Sequence, residues 1–245
     1  MINKSFVIYG ERNSGTNYLE ATLTGKSYHI NHHVAAFDIP VINKSYGDND
    51  ENMFGNKHFF GFNNEYINRA NGIIFIGIVR NPYDWIVGLS RTLHHIPPEN
   101  HDIIGLLTNE WYSIENNKKH IDYGKELLDD RDFDTGKLPR LNNHSIKNLP
   151  VRYKNIFAMR SKKLRYLYHT MPTIAKNYEF IKYEDLCNDP WSIVTRWSKK
   201  YHLPLNMPII HPKNKEPYHI EPDIKKIIDD NIDWEIENQA GYFRK

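Results

Sequence analysis

Short apolar runs followed by polar turns and amphipathic stretches set the rhythm of this chain. Residues 5 to 9 form an apolar and aromatic run of strand length, and Thr16 to Thr24 reads as the helix that follows. Gly72-Ile-Ile-Phe-Ile-Gly-Ile-Val79 is nearly continuous in apolar residues, as expected of a parallel strand covered on both faces, and Pro82 is placed to open a helix after it. Tyr178 to Tyr183 reads as another strand, leading to a helix that Pro190 begins and that runs to about Tyr201. Ile156 to about Thr170 carries Arg160, Lys163 and Arg165 among apolar positions, the pattern of an amphipathic helix packed on a sheet. A last helix is expected near Pro222 to Asp230. The pattern predicts an α/β fold: one domain with a central, mainly parallel sheet flanked by helices.

The first strand-to-helix turn, Gly10-Glu-Arg12-Asn13-Ser14-Gly15-Thr16-Asn17, has the build of an anion-gripping loop. Glycines let the backbone approach a ligand, and the N–H groups at the start of the helix face an oxyanion. Gly10 and Gly15 have the spacing of a G-x-x-x-x-G-K-[ST] loop, but Thr16 and Asn17 stand where the lysine and the magnesium-binding hydroxyl residue belong. An ordinary ATP or GTP hydrolase is disfavoured. The plain alternative is a glycine-rich turn without a ligand.

Two further junctions follow the other apolar runs: Arg80-Asn-Pro82-Tyr-Asp-Trp85 in the middle of the chain, and Tyr183-Glu184-Asp-Leu-Cys-Asn-Asp-Pro190 towards its end. Together the three resemble the motifs of the sulfotransferases that use 3′-phosphoadenosine-5′-phosphosulfate (PAPS). The resemblance implies the P-loop-related sulfotransferase fold over most of the chain. It implies that Arg12, Asn13, Ser14, Gly15, Thr16 and Asn17 hold the 5′-phosphosulfate end of PAPS, and that Arg80 holds its 3′-phosphate. The family's usual serine, eight residues after this arginine, corresponds to Gly88, so the nearest hydroxyl, Ser90, is carried into that role; Arg91 or a backbone amide can substitute. Where members commonly place a lysine before Ser-Gly-Thr, this chain has Asn13, which makes Arg12 the available loop cation. The segment from Glu184 to Pro190 reads as architectural, its acidic residues capping or tethering the helix that Pro190 begins.

Asn56-Lys57-His58-Phe-Phe-Gly-Phe62 is short, aromatic and strand-like, and resembles the family strand that carries Lys-x-His, with lysine and histidine adjacent here. His58 is the expected catalytic base, because an imidazole near its ordinary pKa of about 6.5 accepts a proton at neutral pH. Lys57 is then the electrostatic helper, and both reach the cofactor only if the strand ends or bulges there. Among 13 histidines, a structural role for His58 stays open. The implied reaction is in-line displacement at sulfur, with His58, Lys57 and Arg12 as the catalytic group, on a hydroxyl or amine of a carbohydrate, small molecule or protein side chain. A sulfuryl group carries less negative charge than a phosphoryl group, so no metal is expected.

Residues 92 to 155 are the expected acceptor and lid region. His94 and His95 are the candidate acceptor contacts, with ordinary polar residues after a helix end as the alternative; His32-His33 and His94-His95 do not make a zinc ligand set. Asp129-Asp-Arg-Asp-Phe-Asp-Thr-Gly-Lys reads as an exposed, charged turn or lid. Lys213 and Lys215 occupy the place where relatives close a basic loop over the 3′-phosphate. Two other functions stay open: a nucleotide or small-molecule kinase, against which the missing loop lysine argues, and an adenine-nucleotide-binding module without chemistry, which Gly88 and the shifted Lys57-His58 pair keep alive.

Composition narrows the setting. A length of 245 residues with 40% hydrophobic and 25% charged residues suits one substantial core. A net charge of +2 from 32 basic and 30 acidic residues is too balanced for a general nucleic-acid or membrane surface. The expectation is a cytoplasmic enzyme: the lone Cys187 forms no internal disulfide, no apolar stretch approaches the roughly 20 residues of a span, and no signal peptide precedes the first strand.

Overall fold

The strands and helices that the apolar runs predict form close to their expected bounds in the computed structural model, which describes residues 4–25, 35–42, 54–55, 57–58, 64–114, 126–127, 130–132, 151–206 and 216–245. In chain order these are β1 (Ser5–Gly10), α1 (Thr16–Thr24), α2 (Asn64–Arg69), β2 (Ile73–Val79), α3 (Pro82–Ser90), α4 (Ile103–Thr108), β3 (Ser113–Ile114), β4 (Glu126–Leu127), β5 (Arg131–Asp132), β6 (Val151–Arg152), α5 (Ile156–Arg165), α6 (Met171–Ile174), β7 (Tyr178–Lys182), α7 (Tyr183–Asn188), α8 (Pro190–Tyr201), α9 (Pro222–Asn231) and α10 (Trp234–Gln239). His32, His33, Asn56, Lys213, Lys215 and most of the charged stretch after Asp130 lie outside the described residues.

The main sheet has the order β1-β2-β7, and both pairs are parallel. Alternation within each strand explains why the sequence runs are apolar throughout. Phe6 and Ile8 of β1 and Ile74, Ile76 and Ile78 of β2 pack into one core with α1, α7 and α8. Val7 and Tyr9 of β1 and Phe75 and Val79 of β2 face the opposite core with α5, α6 and α10. Successive strand side chains point to opposite faces, so a strand buried on both sides shows no polar alternation. A third core joins α3, α4, α5 and α9.

In register, Gly10 lies opposite Ile78 and Val79 opposite Lys182. All three strands therefore end on one rim, where the loops after β1, β2 and β7 gather; such a carboxyl edge is where open α/β sheets bind ligands. Phe6 also bridges Val41 in parallel, and the Gly10 N–H donates to the Lys57 carbonyl at 2.9 Å, so the segments before Ile42 and at Lys57 run along the outer edge of β1.

Local sequence accounts for most helix starts. Asn81, Asp102, Asn155 and Asp189 accept backbone N–H bonds at the starts of α3, α4, α5 and α8, as side chains suited to that position do. Two expectations need correction. The amphipathic helix does not run uniformly from Ile156 to Thr170: after Arg165 it passes through a wider π turn, Tyr166–Thr170, and continues as α6. The helix near Pro222 is not the last, because α10 follows it.

Candidate functional site

The loop after β1 is shaped by two left-handed residues, Asn13 (φ 66°) and Gly15 (φ 98°). Gly15 is required there twice over: L side chains rarely adopt that conformation, and a Cβ would lie 2.2 Å from Cδ2 of the Tyr183 ring. α1, unlike the helices with Asx caps, starts with no side-chain cap and no acidic residue in its first turn. The first N–H groups of a helix have no partner within it, and Gly15 at the cap brings no side chain to take their bonds. Three buried polar atoms of the same loop have no hydrogen-bond partner: Asn13 Nδ2, Ser14 Oγ and Glu11 Oε1, the last on the carboxylate that pairs with Arg160 through its other oxygen. Buried polar groups are normally paired, and of these three atoms the amide of Asn13 and the hydroxyl of Ser14 can donate to a ligand oxygen.

Arg80, at the end of β2, is 5% exposed. Its Nη1 donates to the Asn13 carbonyl at 3.4 Å, and its guanidinium lies 5.1 Å from the Tyr183 ring centroid and 5.4 Å from that of Tyr218. Among the described residues no carboxylate pairs with it. A buried guanidinium held by rings and a carbonyl keeps unneutralised charge, which suits a phosphate oxygen.

Gly88 faces this group. A Cβ there would lie 2.9 Å from Arg80 Nη1, 3.5 Å from Asn13 Nδ2 and 3.6 Å from Tyr218 Cε2. A side chain at position 88 would therefore point at Arg80, into space that the arginine already takes. Ser90 is two residues on, about 200° around the helix. Its hydroxyl donates to the Val87 carbonyl at 3.0 Å, within its own helix.

Lys57 and His58 sit beside the loop, in a turn rather than in the expected strand. The turn resolves the alternation problem, because adjacent residues in a turn need not face opposite ways. Lys57 Nζ donates to Asn17 Oδ1 and reaches Glu20 Oε2 at 3.3 Å, which ties it to the first turn of α1. His58 Nδ1 lies 2.8 Å from the Gly10 carbonyl. A carbonyl only accepts, so Nδ1 carries the proton and Nε2 is the basic nitrogen. Burial, then the charges of Arg12 and Lys57, holds this imidazole well below the usual histidine range, so it is neutral at neutral pH.

Arg12 does not stand alone as a cation. Its Nε is 3.2 Å from Asp130 Oδ2, and Lys163 donates to the other oxygen of that carboxylate and, at 2.7 Å, to the His58 carbonyl. Asp130 is 1% exposed, which corrects its own reading as part of an exposed, charged turn. Burial would raise its carboxyl, but Lys163 and Arg12 overcome that and hold it well below the usual carboxylate range.

Arg160, three residues before Lys163 and so on the same face of α5, ties the frame beneath the loop. It pairs with Glu11 at 2.8 Å and with both oxygens of Glu237, donates to the Arg80 carbonyl at 2.9 Å, and lies 4.7 Å from the Trp85 ring centroid. Trp85 in turn donates to the Arg12 carbonyl at 2.7 Å. The basic face of α5 is therefore spent on structure, and Arg165 pairs with Asp233 and Glu235. Glu184 tethers α3 rather than α8: it accepts from the Asn81 N–H at 2.8 Å and from the Tyr242 hydroxyl at 2.7 Å, while Asp189 caps α8.

His94 and His95 follow α3 with ring centroids 3.8 Å apart. His95 is left-handed at φ 68°, and its Nδ1 donates to the Ile114 carbonyl at 2.8 Å. Burial, then Arg12, lowers its imidazole to about 4. The charge of Arg12 thus lowers both imidazoles.

The structure thus gathers Arg12, Asn13, Ser14, Gly15, Asn17, Lys57, His58 and Arg80 about the β1 loop, sets His95 against Ile114, and leaves Ser90 turned back on its own helix. Sequence reasoning placed Arg160 and Lys163 on a helix packed against the sheet without their buried partners, and missed the roles of Asp130, Tyr183 and Tyr218. Only the i, i+3 placement of Arg160 and Lys163 among apolar residues could have signalled buried partners. Among the described residues no cluster of three or more His, Cys, Asp or Glu side chains could hold a metal ion, and no helix is long and apolar enough to cross a membrane. No family model, curated protein or solved structure matches this chain, so its functional reading stands on the geometry of this rim.

Proposed function

We propose that this protein is a PAPS-dependent sulfotransferase acting on a hydroxyl or amine acceptor. One observation supports the reading: a loop with two orphaned hydrogen-bond donors, Asn13 Nδ2 and Ser14 Oγ, and a buried Arg80 without a carboxylate partner among the described residues lie at the ends of adjacent parallel strands. Two anion sites on one rim suit a nucleotide phosphorylated at both its 5′ and 3′ positions.

The residues present fit that donor. The amides from Ser14 to Asn17, Ser14 Oγ and Arg12 would hold its 5′ end, and Arg80 with Asn13 Nδ2 its 3′-phosphate. PAPS supplies an activated sulfuryl group attached to a phosphate leaving group. His58, neutral and with Nε2 basic, takes the proton of the acceptor hydroxyl or amine. Arg12, Lys57 and the loop amides face the negative charge that gathers opposite that base. Asp130 and Lys163 set the position of Arg12 and of the His58 backbone.

Calorimetry with 3′-phosphoadenosine-5′-phosphate, AMP and ATP, followed by transfer of labelled sulfate from PAPS to a panel of sugars, phenols, peptides and amines, tests the proposal. Preference for the 3′-phosphorylated nucleotide together with label transfer is the expected result. Equal binding of AMP overturns the 3′-phosphate site, magnesium-dependent ATP turnover overturns the reaction class, and preference without transfer reduces the protein to a binding module.

A further inference from the structure

We propose that Arg91, seated on the Tyr218 ring, is a specificity-determining residue that grips the 3′-phosphate jointly with Arg80. The inference rests on the function proposed above and assigns the second contact that Gly88 cannot supply.

Gly88 and Arg91 are three residues apart, at the end of α3 and its C-cap, and so share a helix face. Both guanidiniums address one ring, Arg91 at 4.4 Å and Arg80 at 5.4 Å from the Tyr218 centroid. The ring is not placed by chance packing alone, since the Tyr218 N–H donates to Asp84 Oδ1 at 2.9 Å and so pins the segment to the first turn of α3. Neither arginine has a carboxylate partner among the described residues. Two guanidiniums beside one ring repel each other, and Asp84, the carboxylate at this segment, is bonded to the Tyr218 N–H and ion-pairs with neither arginine. A phosphate monoester, carrying close to two negative charges, supplies their counter-charge. An arginine stacked on an aromatic face presents its N–H edge sideways, the geometry that meets phosphate oxygens.

Arg80 is buried and Arg91 is exposed, so the two approach the phosphate from below and from the mouth of the site. A hydroxyl at position 88 would displace Arg80, whereas Arg91 adds a contact without entering that space. Ser90 is not needed for this grip, as its hydroxyl is bonded to Val87.

The test is calorimetric titration of the full chain with 3′-phosphoadenosine-5′-phosphate and with AMP, for the wild type, Arg91→Ala, Arg91→Lys, Tyr218→Phe and Tyr218→Ala. The affinity ratio of the two nucleotides should fall about tenfold in Arg91→Ala, partly recover in Arg91→Lys, hold in Tyr218→Phe and fall in Tyr218→Ala. Inorganic phosphate should compete with the 3′-phosphorylated nucleotide in the wild type and lose that ability in Arg91→Ala. A wild type that prefers the 3′-phosphorylated nucleotide, with the same preference in Arg91→Ala, overturns the role of Arg91 and leaves the proposed function standing. A wild type without preference overturns the function itself. Arg91 is exposed, and unchanged thermal unfolding of its variants separates a binding effect from a folding one.

Discussion

The Arg80 guanidinium lies 5.1 Å from the centroid of the Tyr183 ring, and the edge of that same ring occupies the space beside Gly15 where a side chain would be. One aromatic residue, the first of α7, thus sets the distance between the β1 loop and the end of β2. Tyr183 is buried and packs edge-on against Tyr18 of α1, so the spacing is held from below as well.

Gly15→Ala should therefore cost stability through two causes, a left-handed φ and contact with the ring. Chemical denaturation is expected to show a loss of roughly 2–4 kcal/mol. Adding Tyr183→Leu relieves only the contact, so the double variant should be less stable than wild type yet show a favourable coupling. Strict additivity of the two changes would contradict the ring contact.

Gly88→Ala separates binding from folding. An added methyl group lies 2.9 Å from Arg80 Nη1, the far end of a flexible side chain, which can swing away. Alanine also gains about 1 kcal/mol over glycine within a helix. Thermal stability should hold or rise while affinity for 3′-phosphoadenosine-5′-phosphate falls about tenfold. Retained affinity would show that Arg80 does not contact the nucleotide from its present position.

Asp130→Asn leaves two cations, Arg12 and Lys163, without their shared buried carboxylate. Removing one partner of a buried ion pair typically costs about 3–5 kcal/mol. Anion affinity at the loop should rise at the same time, because Arg12 is released from its internal counter-charge. Arg12→Ala should abolish sulfate transfer, and near-normal turnover in that variant would remove Arg12 from the mechanism.

The Glu11 carboxyl is pushed up to about 7 by burial, against the pull of Arg160 and Lys163. The folded state then holds this proton more tightly than the unfolded chain, whose glutamate has a pKa of about 4.3. Its contribution to stability is complete below that lower value and is lost as the pH rises through about 7. Comparing wild type with Glu11→Gln cancels the other titrating groups. The unfolding free-energy difference should move in favour of the variant by roughly 3 kcal/mol between pH 4 and pH 8, and a flat difference would refute the buried acid.

His58 has the opposite sign. Its depressed pKa keeps the base neutral in solutions more acidic than an ordinary histidine would allow, so the acidic limb of the transfer rate should fall below pH 6.5 rather than at it. A limb centred at or above that value would assign the base elsewhere.

Where a local pattern decides the outcome, the chain was readable from residues alone. Apolar alternation hidden within continuous runs located β1 and β2; Pro82 and Pro190 opened α3 and α8; Gly10 and Gly15 marked the loop; and the end of β2 delivered Arg80 to the same rim. These follow from side-chain direction, proline's fixed φ and glycine's freedom, each a property of a few neighbouring residues. The tertiary structure alone decided that Asp130 is buried between Arg12 and Lys163, that Gly88 rather than Ser90 faces Arg80, and that Tyr218 meets Arg80 and Arg91 on one ring. Those partners are separated by up to 138 residues, the span between Arg80 and Tyr218. Charge pairing and steric exclusion act through space, so a carboxylate such as Asp130 reads as solvated until the fold supplies the cations that accompany its burial.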